Sequence, residues 1–355
     1  MKILILAPAP PDISPGQRFR FEHYLQLPEA KKMNFVSRFF FSLKGWKSLH
    51  KNGHLFKKMA DIILGFLKRF FVLFSVYKYD FVYVYREAAP IGPPVFEWII
   101  ARVLRKKIIY DFDDAIWISV ASDANPGAAK LKCSWKVAKI CRYSFIVTVG
   151  NEYLAAFARQ YCRDVRIIPT VVDTEKKHNR IKDQREGALT IGWTGTFSTL
   201  PYLNLVKKPL QKIIEKYKLS FLVIGNKDPA FTEFPYTFKE WNAETEAEDL
   251  LKMNIGIMPL ANTPFELGKC GFKAIQYMSL GIPAVVSPVG VNTEVVQNNI
   301  NGLWANSDEQ WFDAMEALLE DEQLRVNMGT KGRAHIEANY SVNATSDLFF
   351  NLFSR

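Results

Sequence analysis

Cysteine and histidine are scarce in this chain, and neither is clustered. Four cysteines, Cys133, Cys141, Cys162 and Cys270, and five histidines occur in 355 residues. They form no CxxC pair and no His/Cys group at zinc-ligand spacing. That excludes a disulfide scaffold and a structural zinc site, and points to plain thiols in a reducing compartment. Long apolar runs are missing as well: nothing approaches the roughly 18 uncharged apolar residues of a spanning helix. The opening MKILILAPAPPDISPGQRFR has an apolar stretch of only Ile3 to Ala7, too short for a secretory signal. It reads as a buried first strand running into a loop. The expectation is a cytoplasmic protein, peripheral at the inner face of a membrane. A GxGxxG turn is also lacking, which argues against a dinucleotide cofactor of the dehydrogenase kind. There is no internal repeat. What remains, 48% hydrophobic and 23% charged residues, is globular composition, and the length suits two domains.

The net charge of +10 is unevenly spread. From Met1 to Glu175 there are 27 Lys and Arg against 15 Asp and Glu, a balance of +12; the remainder holds 19 against 21, or −2. A basic half joined to a neutral half suggests an anionic partner for the first. An acidic membrane and a phosphorylated acceptor both fit. Nucleic acid does not, because no aromatic–basic sheet motif accompanies the charge.

Short buried runs alternate with helical patterns. Ile3–Leu6, Phe81–Tyr85, Ile108–Tyr110, Phe145–Val149 and Val165–Ile168 read as strands, with helices such as Pro94–Leu104 and Asn151–Tyr161 between them. This alternation implies a parallel sheet with helices on both faces. The stretch 173–187, DTEKKHNRIKDQREG, is nearly devoid of apolar residues and reads as a linker. The pattern restarts with Leu189–Trp193, Phe221–Ile224, Ile255–Pro259 and Ala284–Ser287. The expected organisation is an α/β domain over 1–172, a linker over 173–187, a second α/β domain over 188–339, and a terminal helix over 340–355. Open parallel sheets bind ligands beyond the carboxyl ends of their strands, so the loops there hold the candidate residues.

The segment Leu55–Tyr77 stands apart. It combines Phe56, Met59, Ile63, Phe66, Phe70 and Phe74 with Lys57, Lys58, Lys68 and Arg69, and Arg38, Lys44, Lys47 and Lys51 lie nearby. Such a helix suits either the headgroup boundary of an anionic bilayer or ordinary packing on a sheet.

Five loops carry chemistry. The first strand ends in a Pro/Gly-rich loop with Arg18 and Arg20, suited to an anion. After the strand near residue 110, Asp111, Asp113 and Asp114 crowd together. Crowded carboxylates serve as a base, a cation site or an acceptor for hydroxyls, or else cap a helix and pair with an arginine. In the second half, Thr194, Gly195 and Thr196, and then Gly225 and Asn226, offer small residues and amides at strand ends. Finally, Glu266, Lys269 and Lys273 lead into a helix. Cations at a helix start oppose the dipole and make sense if a diphosphate sits there.

This last segment, GKCGFKAIQYMSLGIPAVVSPVGVN, resembles the donor-binding core of family 4 glycosyltransferases, which have the GT-B fold. NGLW, MGTKGRAHIEANYS, SPGQRFRFEHY, YDFDDAIW, VGNEYLAAFARQY, IPTVVD and IGWTGT extend the resemblance in the expected order. It implies two Rossmann-like parallel-sheet domains facing across a cleft, with a nucleotide-sugar donor held mainly by the second and a glycan or lipid-linked acceptor held mainly by the first. It also implies hexosyl transfer with retention of configuration, no cofactor or essential metal, and a last helix crossing back to the first domain. Polysaccharide or lipopolysaccharide-type biosynthesis is the setting.

Carried over, Gly16 approaches the donor phosphates or the transferred sugar, Lys269 and Lys273 neutralise the diphosphate, Gln276 sits near the ribose, and Gly290 closes over the donor. Arg18 adds charge, Arg20 and Asp111 hold the acceptor, and Asp113 and Asp114 orient acceptor or sugar. The family's E-x7-E pair is replaced, with Gln276 and Gly268 at the two positions, and Trp193-Thr194-Gly195-Thr196 lacks the family's usual arginine. These departures leave two alternatives open: a non-catalytic sugar-nucleotide-binding or scaffold protein, and a sugar-nucleotide epimerase.

Overall fold

The computed structural model describes residues 1–49, 55–119 and 131–354; Lys51 lies outside them. The chain divides into two compact units, Met1–Pro169 with Ser346–Arg355, and Thr170–Thr345.

The first unit is built on a six-stranded parallel sheet: β1 (Lys2–Ala7), β2 (Asn34–Phe39), β3 (Phe81–Tyr85), β4 (Lys107–Phe112), β5 (Ile146–Val149) and β6 (Val165–Ile167), in the order β2-β1-β3-β4-β5-β6. Its central strands are buried along their length, as a sheet covered on both faces requires. The second unit has β7 (Thr190–Gly195), β8 (Ser220–Gly225), β9 (Tyr236–Glu240), β10 (Ile255–Met258), β11 (Ala284–Val286) and β12 (Gly302–Trp304), in the order β12-β11-β10-β7-β8-β9, again all parallel. Strand order reverses between β1 and β3 and between β7 and β10. In open parallel sheets, ligands bind beyond the strand ends at such reversals.

Three strands escape the sequence reading: β2, β9 and β12. All are edge strands, and β2 and β9 are half-exposed with mixed side chains. An edge strand needs no continuous apolar run.

The polar stretch 173–187, expected as a linker, groups with the second unit and packs on it. Lys182 N–H donates to the Leu280 carbonyl at 2.8 Å. Buried Gln184 donates to the carbonyls of Asn254 and Gly281, each at 3.3 Å. Arg333 donates to the carbonyls of His178 and Thr174. Polar side chains here satisfy backbone groups, so low apolar content does not mean a solvated tether. At the other end, Phe349 stacks on Tyr24 with ring centroids 4.4 Å apart, and Phe353 packs edge-on to Phe35 and Phe81.

The helix Leu55–Leu73 packs through Gly65 and Arg69, together with Phe66, which was read as part of the apolar outer face but lies half-buried against Phe40 and Phe96. Arg69, taken from sequence as part of a basic surface, is buried.

Candidate functional site

In the second unit, Tyr277 from the helix Phe272–Ser279 sits at the strand-order reversal between β7 and β10. Its hydroxyl accepts the Thr194 amide at 2.9 Å and donates to the Ile257 carbonyl at 3.3 Å, linking the two strands. Gly256 leaves the space the ring occupies. The helix begins at Gly271, whose φ of +66° turns the chain and whose missing side chain leaves the first turn without a side-chain cap. Lys273 stands in that first turn, its ammonium 5.7 Å from the Trp193 ring centroid. The same indole lies against Gly195, where any side chain would strike it. Lys273 and the Gly195 loop therefore share one aromatic wall. Lys269, two residues before Gly271, places its ammonium 4.6 Å from the Phe265 ring.

The amides after β7 are committed within the protein. Thr196 N–H donates to Thr199 Oγ1 at 3.1 Å, and Phe197 N–H donates to Asn226 Oδ1 at 2.7 Å. Gly225 lets β8 end close to β7, since a Cβ there would lie 2.9 Å from the Gly195 carbonyl. Thus Gly225 and Asn226 brace the Thr194–Gly195–Thr196 loop, and the expected row of available amides is replaced by hydroxyls, with Thr196 and Ser198 hydrogen-bonded at 2.8 Å. The segment that follows is a 3-10 turn, Leu200–Val206, rather than a regular helix start.

Glu266 is buried and accepts from the hydroxyls of Tyr202 and Thr263. Gly290, at φ +53°, fits against the Glu266–Gly268 turn, with room for no side chain: a Cβ would sit 2.9 Å from the Leu267 carbonyl. Gln276 is buried, and its Nε2 has no hydrogen-bond partner among the described residues; Asn292 Oδ1, likewise buried, has none either. Buried polar atoms are ordinarily satisfied, so both have capacity for a ligand. Sequence reasoning passed over Asn292 and Tyr277, whose roles depend on neighbours distant in the chain.

The first unit treats its aspartates differently. Asp111 is fully buried; Arg20 donates to it through Nε at 3.1 Å and through a second nitrogen, and Thr148 donates at 2.6 Å. Arg20 also donates to the Ile168 carbonyl. The pair expected to hold an acceptor instead ties the segment after β1 to β4, β5 and β6. Arg18 is buried too, its guanidinium 4.3 Å from the Phe19 ring centroid.

Asp113 and Asp114 remain partly exposed and converge on Arg86, which follows β3. Arg86 donates to Asp113 at 2.9 Å and to Asp114 at 2.6 Å, and Tyr85 donates to Asp113 at 3.0 Å. Gly16 rests against this group, and a side chain there would run into Tyr85 and Asp113. Residues from the loops after β1, β3 and β4 thus meet at one place. Arg86, held at φ +58°, is the member that sequence reasoning missed. Its only signal is its position directly after a strand of five buried residues.

Against known proteins, residues 176–335 match the family model described as glycosyl transferases group 1. No curated protein matches the chain. Among solved structures, HepE of Anabaena in complex with UDP and glucose is 14% identical, with a TM-score of 0.70 and coverage of 99% of each chain. A sucrose-phosphate synthase from Thermosynechococcus elongatus is 15% identical, with a TM-score of 0.69 over 99% of this chain and 98% of that one. A glycosyltransferase from Rickettsia africae is 13% identical, with a TM-score of 0.68 over 99% and 97%. Such likeness shows the fold: two Rossmann-like parallel-sheet units of the GT-B kind. The matched segment holds Thr194 through Gly290, so the resemblance read from the second half of the sequence stands.

Proposed function

We propose that this chain, with a group 1 glycosyltransferase segment over residues 176–335, transfers a hexosyl unit from a nucleotide-sugar to a glycan or lipid-linked acceptor with retention of configuration. One observation carries the reading. A lysine opens a helix whose N-terminus lacks a side-chain cap, beside a glycine loop, at the strand-order reversal of the second sheet. Helix dipole and ammonium there both favour a diphosphate.

In the reaction, the bond between the sugar's anomeric carbon and the phosphate oxygen breaks, and its electron pair stays on the diphosphate. Lys273 and Lys269 stabilise that charge as it grows. The acceptor oxygen bonds to the anomeric carbon on the face the phosphate leaves, and its proton passes to the departing phosphate oxygen. Gln276 hydrogen-bonds the nucleotide ribose, and Gly290 keeps the loop after β11 close to the donor. In the first unit, Asp113 and Asp114, oriented by Arg86, position the acceptor hydroxyl. The charge is met by lysines, so neither metal nor cofactor is required. The protein works peripherally at the cytoplasmic face of a membrane, in the assembly of a surface polysaccharide.

A thermal-shift screen against UDP-, GDP- and dTDP-sugars tests this. A bound donor raises the melting temperature by mass action, and one nucleotide class is expected to do so. No shift with any donor, together with no release of free sugar, overturns the proposal.

A further inference from the structure

The helix Leu55–Leu73 leaves a long apolar stripe uncovered. An amphipathic surface helix ordinarily buries its apolar stripe; this one packs inward through Asp61, Gly65 and Arg69, with Phe66 against Phe40 and Phe96, and leaves most of its apolar residues outside. Arg69 donates to the carbonyls of Ala7 at 2.7 Å, Arg38 at 2.8 Å and Ala88 at 2.7 Å. One turn before it, Gly65 lies on the Phe40 ring with no space for a side chain. One turn before that, Asp61 accepts from Ser48 Oγ at 3.1 Å. The outward stripe holds Phe56, Met59, Ile63, Leu67 and Phe70, continued by Phe74 in the turn just after the helix, all exposed, with Phe56 at 89% and Phe74 at 66%. Its phenylalanines alone present about 400 Å² of apolar surface, within the range of the biggest patches on ordinary monomers. Ordinary packing on the sheet, one of the two readings open from sequence, is therefore not what this stripe does.

We propose that the stripe docks on an anionic bilayer, with the helix lying in the plane of the headgroup–acyl boundary. The charge pattern selects this occupant. Lys57 and Lys68 are exposed along one flank of the stripe, and the neighbouring helix Leu43–Leu49 exposes Lys44 and Lys47. Asp61, the acidic residue of the docking helix, is turned inward to Ser48. A second copy would bring these cations against one another; acidic headgroups complement them while the acyl boundary takes the rings. No described helix is long and apolar enough to cross a membrane, which suits an in-plane position.

The latch formed by Arg69 fixes the docking helix to the carboxyl end of the first sheet. Ala7 ends β1, Arg38 belongs to β2, and Ala88 follows β3. That is the end where Gly16, Arg86, Asp113 and Asp114 meet. Resting on the transferase reading, this placement makes the acceptor an amphiphile presented by the bilayer itself.

The test is sedimentation of the full chain with vesicles of phosphatidylcholine alone or with about 30 mol% phosphatidylglycerol. Wild type is expected to bind the anionic vesicles at least about tenfold more tightly than the neutral ones. Phe70→Ser with Phe74→Ser should weaken binding about tenfold, and Lys57→Glu with Lys68→Glu should abolish the preference for anionic lipid. Melting temperature and donor-induced shift should stay at wild-type values in both variants, which separates failure of docking from failure of the transferase reading. Absence of binding to anionic vesicles, or binding indifferent to the phenylalanine pair, overturns the proposal. So does a concentration-dependent dimer that the phenylalanine pair dissolves, because a second copy would then cover the stripe.

Discussion

The Lys273 ammonium lies 5.7 Å from the Trp193 ring centroid, on the indole that also walls the Gly195 loop. Helix start and first strand of the second unit thereby deliver a cation and a glycine turn to one spot. Lys273→Ala should lower transfer or donor hydrolysis at least about tenfold, equivalent to roughly 1.4 kcal/mol of transition-state stabilisation. The melting temperature should change little, since the side chain is only half-buried. Turnover equal to wild type would remove Lys273 from the leaving-group role.

Gln276 offers a complementary readout. Its buried Nε2 lacks a partner among the described residues, so the protein bears the cost of a desolvated donor. Gln276→Met, close in volume, should leave the melting temperature of the ligand-free protein equal or higher. It should also shrink the shift produced by the cognate donor. A donor shift of undiminished size would show that no ligand uses this amide.

Asp111 and Arg20 separate a structural from a binding role. Breaking a buried ion pair on one side costs about 3–5 kcal/mol, roughly 10 °C in melting temperature for a unit of this size. Asp111→Asn should show that loss. Asp114→Asn, on a partly exposed residue, should instead spare stability and raise the KM for acceptor. Stable Asp111→Asn with weakened acceptor binding would reverse the assignment.

Glu97 gives a pH-dependent test. It is buried, accepting the Ala88 amide at 2.8 Å, and burial pushes its carboxyl above the ordinary 4.5, partly opposed by that hydrogen bond. The folded state thus holds the proton more tightly than the unfolded one. The resulting stability is full below pH 4.5 and is lost as pH rises through the raised value. Glu97→Gln keeps an acceptor for Ala88 and cannot ionise. Its melting temperature relative to wild type should climb between pH 4 and 7, as followed by circular dichroism. A difference that is flat with pH would contradict a raised carboxyl.

Much of this protein was determined by its sequence alone. The apolar runs that became β1, β3 to β5, β7, β8, β10 and β11 are legible because a strand covered on both faces must be apolar throughout; β6, an edge strand with Arg166 at its centre, is legible only from its flanking β-branched residues. The Gly271–Lys273 start and its helix are legible because glycine at positive φ and a cation in the first turn are local features. Only the tertiary structure decided which polar groups would be spent on each other. Asp111 looked like its neighbours Asp113 and Asp114, yet the register of β4 beside β5 buries it against Arg20 and Thr148. The Leu55–Leu73 pattern shows two faces but not which one turns inward; Arg69 settled that through carbonyls presented by Ala7, Arg38 and Ala88. A hydrogen-bond partner contributed from far along the chain leaves no trace in local periodicity, and burial of a charge is decided by such partners.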